Sequence, residues 1–432
     1  MQLHIRQAKV SDPGSEFHNK VVDITIKDGI ISKVAIAGKK SGESTIEADG
    51  KKVYTSAKGE GPLYVGPGWV DILADYAEPG HEQKETIKSG LEAAAKGGFT
   101  DVFLAPNTEP AVSTKSIIEF VRKKAAGHVV SLHPLGSVSQ NIEGKSLAEM
   151  MDMQAHGAIA FTDGWKPVQN AGLMLKALEY IKAFDGTLIQ IPEDASIAAT
   201  GLMHEGIIST RLGMAGIPPE AETIIINRDL QLLRYTGSKL HFTGISTAAG
   251  VDMIRKAKRE KLNVTCSVTP YHLALTDESL TGYSSMYKVS PPLRSEKDRQ
   301  ALVKGLNDGT IDCITSHHRP HEWDAKAKEF EYAAPGMNIQ ELAFYIVLQA
   351  MGDKADLGRI TDAFSNRARE IFNLPRATVA KGNAAKLTIF TTRSNYTPTG
   401  MASLSKNNPF LGKELPGKIA GIVSNNDYYI NQ

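Results

Sequence analysis

The stretch Pro67-Gly68-Trp69-Val70-Asp71-Ile72-Leu73-Ala74-Asp75-Tyr76-Ala77-Glu78-Pro79-Gly80 decides how the rest of the chain is organised. A Pro-Gly turn opens it, an apolar run over 68–73 follows, and a second Pro-Gly closes it. That is the punctuation of a buried strand running into a loop. Seven more short apolar or β-branched runs recur downstream, over 101–104, 129–132, 158–161, 187–191, 239–244, 263–268 and 312–315. Helix-period stretches separate them; residues 84–96 are rich in Ala, Glu, Leu and Lys and end at Gly97-Gly98, a helix stop. Eight alternating units predict an α/β chain folded as a closed (β/α)8 TIM-like barrel. Residues 273–293, with Pro291-Pro292, read as a long loop. In such a barrel the chemistry sits where strands end and loops begin, so those positions carry the functional reading.

The two chain ends have another texture. Short β segments over 3–5, 21–26, 30–36, 45–47 and 52–54 are broken by Gly and Asp turns, and β-like runs return over 385–391, 417–423 and 428–430. The two ends are expected to form one discontinuous β-sandwich domain, residues 1–64 with 376–432, around a barrel of residues 65–375.

Composition narrows the function classes. With 432 residues and a net charge of +1 spread along the chain, there is no electrostatic footprint for nucleic acid and no acidic tail. No stretch approaches the roughly 18 apolar residues of a membrane span, and residues 1–7 lack an apolar leader core. Cys266 and Cys313, the two cysteines, lie in apolar runs and suit a reducing compartment. A cytoplasmic, soluble chain is expected. Neither a GxxxxGK[ST] nor a GxGxxG context surrounds Lys96-Gly97-Gly98 or Gly61-Pro62, so both are turns rather than phosphate loops.

A set of landmarks carries a family resemblance: Gly97-Gly98-Phe99-Thr100, Pro106-Asn107-Thr108, Gly157-Ala158-Ile159-Ala160-Phe161, Lys166-Pro167-Val168, Glu193-Asp194, Ser246-Thr247, Ser290-Pro291-Pro292-Leu293-Arg294 and Lys406-Asn407-Asn408-Pro409-Phe410. In joint order and spacing the chain resembles the dihydroorotases, in particular the larger bacterial class that also matches the dihydroorotase part of multifunctional pyrimidine enzymes. The resemblance implies a (β/α)8 barrel with a two-ended β-sandwich, and reversible ring closure of carbamoyl-aspartate to dihydroorotate at a zinc site. Zinc serves there because bound metal lowers the pKa of water to about 7 and polarises the carbonyl.

Measured against that family, the ligand positions are changed one after another. The paired histidines of Asp-x-His-x-His become Leu73 and Asp75, and the following arginine becomes Ala77. The bridging Asp of Phe-Ser/Thr-Asp-Asp-Gly becomes Gly164, with Asp163 beside it. Ile191 replaces the histidine before Pro-Glu-Asp, and Gly244 replaces the one before Leu-Ser-Thr. The last strand ends Ser316-His317-His318-Arg319-Pro320-His321 where the family reads Thr-Asp-His-Ala-Pro-His, so the catalytic Asp position holds His317. Asn107 and His321 match substrate contacts, whereas the family's Asn before Pro-Pro-Leu-Arg is Ser290.

No metal cofactor and no catalytic residue are therefore expected. Asp75, Asp163, His317 and His318 are the candidates for a rebuilt metal site, and His241 and His272 are read as structural. The resulting expectation is a non-catalytic dihydroorotase-like chain, a homo-oligomer that acts as an assembly partner of aspartate carbamoyltransferase, as the resemblance implies. Two rivals stand beside it: an active dihydroorotase or other cyclic amide hydrolase with a relocated metal, and a small-molecule binding module at the barrel mouth.

Overall fold

The computed structural model describes residues 1–38, 43–57, 60–352 and 355–431. Strands from the two chain ends hydrogen-bond in one nine-stranded sheet. Its path runs Asp427–Ile430, Leu415–Ser424, Leu387–Tyr396, Tyr64–Pro67, Gln2–Val10, Val21–Lys27 and Ile30–Ile36. Thr45–Ala48 adds to Gln2–Val10 and carries Lys51–Thr55 in turn. Alternating burial along Gln2–Val10 and Val21–Lys27 sends Leu3, Ile5, Val22 and Ile24 into one apolar core, with Ile389 and Val423 contributed from the other end of the chain. Tyr64–Pro67 pairs with Leu387–Tyr396, so the sheet reaches past residue 64 into the turn before the first barrel strand.

The barrel closes through backbone pairing. Trp69–Ala74, Phe99–Leu104 and Ser131–Pro134 run parallel, as do Leu188–Gln190, Leu240–Phe242, Val264–Val268 and Cys313–Ile314. The run expected over 158–161 forms no extended ladder and joins these two groups through single bridges, Gly136 to Phe161 and Phe161 to Leu188. Ala74 and His318 then bridge the last strand to the first. Because all eight segments point the same way, residues 73–75, 161–165, 191–193, 243–246 and 316–321 share one mouth.

Local chemistry corrects two boundaries. The first barrel helix is Ile87–Lys96 rather than 84–96, because Thr86 and Ser89 cap it reciprocally: the Thr86 hydroxyl accepts from Ser89 N at 3.1 Å and Ser89 Oγ accepts from Thr86 N at 3.0 Å. Residues 273–293 are not all loop. They hold the end of Pro270–Ala274 and the helical turns Asp277–Leu280 and Ser285–Tyr287.

At the opposite end of the barrel, Asp101 is fully buried and binds Arg369 at 2.7 Å, His133 at 2.9 Å and Lys386 at 2.5 Å. Lys386 lies just before the strand Leu387–Tyr396, so one carboxylate ties the barrel floor to the two-ended sheet. Burial alone would raise its pKa, but Arg369, His133 and Lys386 hold it well below the usual range.

Candidate functional site

Asp71, Leu73 and Asp75, at alternate positions along the first strand and just past its end, have three fates. Asp71 is buried and bonded to the last strand: it accepts from Thr315 Oγ1 at 2.9 Å, Ser316 N at 2.8 Å, Ser316 Oγ and Gln340 Nε2 at 2.7 Å. Two positions on, Leu73 is fully buried and shares an apolar cluster with Phe103, Leu135, Ile189 and Ile191. Thus the Leu73 and Ile191 positions are joined as hydrocarbon inside the barrel. Asp75 keeps some accessible surface and accepts from Ala77 N at 2.8 Å; burial raises its pKa against the pull of Arg319.

The two glycines mark filled space. Gly164 lies at φ +57°, and a Cβ there would stand 1.9 Å from Asn107 Oδ1. Asn107 is bound into the same turn, donating to Asp163 O at 3.0 Å and accepting from Trp165 N at 3.1 Å. Gly244 lies at φ +74°, where a Cβ would meet His317 Cε1 at 2.5 Å. The His317 ring thus occupies the room that a side chain at 244 would need. Its Nε2 bonds Thr243 Oγ1 at 2.7 Å, and burial pushes its pKa down to about 3.

The candidates for a rebuilt metal site are dispersed over separate partners. Asp163 accepts from Val138 N and Ser139 N, both at 2.9 Å, and from Ser139 Oγ at 2.5 Å, so both its oxygens hold the 138–139 turn. His318 turns away from the mouth: its Nε2 stands 3.6 Å from Glu85 Oε2, its Nδ1 accepts from Gln340 N at 3.5 Å, and its ring meets the Tyr76 ring edge-on. His321 is buried, with Nε2 bonded to Pro335 O at 3.0 Å and its backbone N donating to Asn407. Among the described residues no three His, Cys, Asp or Glu side chains converge as metal donors. A zinc site needs about four ligands, or three and a water. The donors present do not fit the family's zinc.

His241 and His272 are buried in hydrogen bonds to Thr265, Ser267 and Thr269 and to the carbonyls of Pro291 and Pro292. Burial lowers them to about 3 and about 4. Sequence reasoning passed over Trp165 and Arg319. The Arg319 guanidinium lies over the Trp165 ring, 4.9 Å from its centroid, and the Trp165 ring meets His317 edge-on at 5.3 Å. The signal was available as an arginine inside a histidine-rich strand end, at a position where the resembling motif has alanine.

Barrel and two-ended sheet together are the fold of two solved hydantoinase structures. The L-hydantoinase of Arthrobacter aurescens superposes with a TM-score of 0.84 at 22% identity, covering 99% of this chain and 96% of that one. A D-hydantoinase superposes at 0.81, also with 22% identity. Within that architecture the sequence is more specific. Residues 63–249 match the Dihydro-orotase-like family profile. A protein named dihydroorotase from Syntrophus aciditrophicus is 40% identical over 97% of both chains, and one from Pelotomaculum thermopropionicum is 38% identical over 96% of both. The chain belongs to the dihydroorotase family.

Proposed function

We propose that this chain is a non-catalytic member of the dihydroorotase family, acting in pyrimidine biosynthesis as a cytoplasmic assembly partner of aspartate carbamoyltransferase and itself homo-oligomeric. One observation carries the loss of catalysis: the ligand positions are filled as well as substituted. His317 stands in the space beside Gly244, Asn107 in the space beside Gly164, and Leu73 packs with Ile191. Without a metal-bound hydroxide, several kcal/mol of barrier reduction are missing, and about 1.36 kcal/mol is tenfold in rate. The assembly role rests on the family resemblance and on a fold whose barrel closure and two-ended sheet are intact around that altered mouth. No helix among the described residues is long and apolar enough to cross a membrane.

A second reading has an observation in its favour, since relatives at 38–40% identity are named dihydroorotase. On that reading the chain closes carbamoyl-aspartate with a relocated metal. Metal analysis with a ring-closure assay separates the two. The proposal expects sub-stoichiometric zinc and turnover at background; about one zinc per chain at the mouth with turnover promotes the second reading. A single reversion such as L73H is expected to leave turnover at background, because ligands act as one unit. For the partner, co-expression with the transferase and sizing with mass detection should give one complex, since an obligate interface buries on the order of 2,000 Å² or more. Separate elution across salt and concentration removes the partner.

A further inference from the structure

Beyond the last barrel strand, Cys313–Ile314, the chain makes an excursion over residues 322–332 that carries two of its most exposed aromatic side chains. Trp323 is 79% exposed and Tyr332 69%, whereas Trp69 is buried and Trp165 half-buried. At those exposures two large rings offer on the order of 200–350 Å² of apolar-rich surface, the scale at which a patch marks a contact site. The same excursion is acidic. Glu322, Asp324, Glu329 and Glu331 stand against Lys328, its one exposed cation, because Lys326 is buried. None of the four carboxylates makes an ion pair within 4.0 Å among the described residues. Other surface carboxylates do find partners, as Glu47 does in Arg6 and Glu296 in Arg299.

The two rings stand on a clamped support. Lys326 Nζ donates to Ala334 O at 2.8 Å, Gly336 O at 3.1 Å and Lys288 O at 3.4 Å. Lys288 Nζ in turn donates to Phe330 O at 2.7 Å and Glu331 O at 2.8 Å. Ala334 N donates to Ala325 O at 2.9 Å, which ties the two limbs of the excursion together. Between the exposed rings in sequence, Phe330 is buried against Met203, Ile208 and Leu280. Two ammonium groups are thus withdrawn from solvent to fix a loop whose largest side chains stay outside. Rings fixed in this way lose little entropy on contact, which separates a built surface from a floppy loop.

Charge decides what the surface fits. A two-fold contact with a second copy would set the acidic excursion against itself, and like charges opposed across an interface repel. Nucleic acid and anionic lipid are repelled for the same reason. Arginine and lysine suit both halves of the surface: their cations pair with carboxylates, the guanidinium bidentately, and lie over the faces of Trp and Tyr rings. We propose that residues 322–332 dock a basic segment of a partner protein, whose arginine or lysine side chains lie on Trp323 and Tyr332 and pair with Asp324, Glu329 and Glu331. The inference deepens the assembly reading and rests on it for the partner's being a protein.

The test is fluorescence anisotropy of a labelled helical peptide of arginine and alanine, titrated with the full chain at fixed ionic strength, beside the same peptide with glutamate for every arginine. The arginine peptide should saturate and the glutamate peptide should not. Affinity should fall about tenfold or more in E329K/E331K and in W323A/Y332A. E16K/E179K reverses two exposed carboxylates, one near the chain start and one on the helix Ala171–Ile181, and should leave affinity within about twofold. Melting curves establish that each variant is folded, and either of the first two carries the test if the other is not. Absence of saturable binding of the arginine peptide up to about a millimolar overturns the proposal. Unchanged affinity in a folded E329K/E331K or W323A/Y332A, or an equal loss in E16K/E179K, overturns it too. Co-elution of the transferase with the wild-type chain decides the assembly reading separately, so the two can fail independently.

Discussion

Gly244→Ala tests whether the His317 ring occupies the space of the missing ligand. The added methyl would stand 2.5 Å from His317 Cε1, on a backbone held at φ +74°. The left-handed conformation costs a non-glycine residue about 1–2 kcal/mol. Overpacking a fixed core adds about 1–3 kcal/mol. The sum is a loss of about 2–5 kcal/mol, of which only the second part depends on His317. His317→Ala removes the ring, at the cost of its bond to Thr243 and a cavity of its own. In the double variant the methyl and the missing ring compensate, so the cycle should show a coupling of about 1–3 kcal/mol. Urea unfolding of the four proteins, followed by one probe of the barrel, measures it. Additivity within about 0.5 kcal/mol would refute the reasoning, because the space beside Gly244 would then be open to a ligand side chain. The same geometry orders any attempt at rebuilding: G244H alone should bind no zinc, and H317D must accompany it.

Asp101→Asn should cost about 3–5 kcal/mol by stranding Arg369 and Lys386. The folded pKa of Asp101 is depressed, so its contribution is present above the unfolded value of about 3.9 and is lost as pH falls through the folded one; the wild-type advantage over D101N in urea should therefore shrink below about pH 4. The buried histidines act in a higher window. His241, His317 and His321 are lowered to about 3 by burial, so below about pH 6.5 the unfolded chain takes up protons that the folded chain refuses, and stability falls as pH drops. His321→Gln should reduce the slope of stability between pH 6 and 4 by about one proton, or about 1.36 kcal/mol per pH unit; an unchanged slope would count against it. Burial pushes the Cys266 thiol up to about 12 and also raises Cys313, so neither should react with a thiol reagent in the native protein and both should after unfolding.

Periodicity and punctuation by themselves determined the architecture. The alternation of apolar runs with helical stretches is a local property, and the strands Trp69–Ala74, Phe99–Leu104 and Val264–Val268 lie where those runs lie. Where competition between side chain and backbone decides an end, the local pattern failed: Thr86 capped the first barrel helix three residues late, and the fourth strand was reduced to bridges at Phe161. The missing metal donors were legible too, because leucine, isoleucine and glycine bear no donor side chain wherever they are placed. Tertiary structure alone decided what became of the space. Gly164 meets Asn107 from the second strand end, Gly244 meets His317 from the last, and Arg319 lies over Trp165. Each of these pairs is distant along the chain and is brought together by barrel closure, so no spacing in the sequence encodes it. The physical reason is that occupancy of a volume and the pairing of a buried donor are properties of all the elements that surround them, whereas strand and helix are dictated largely by each segment's own residues.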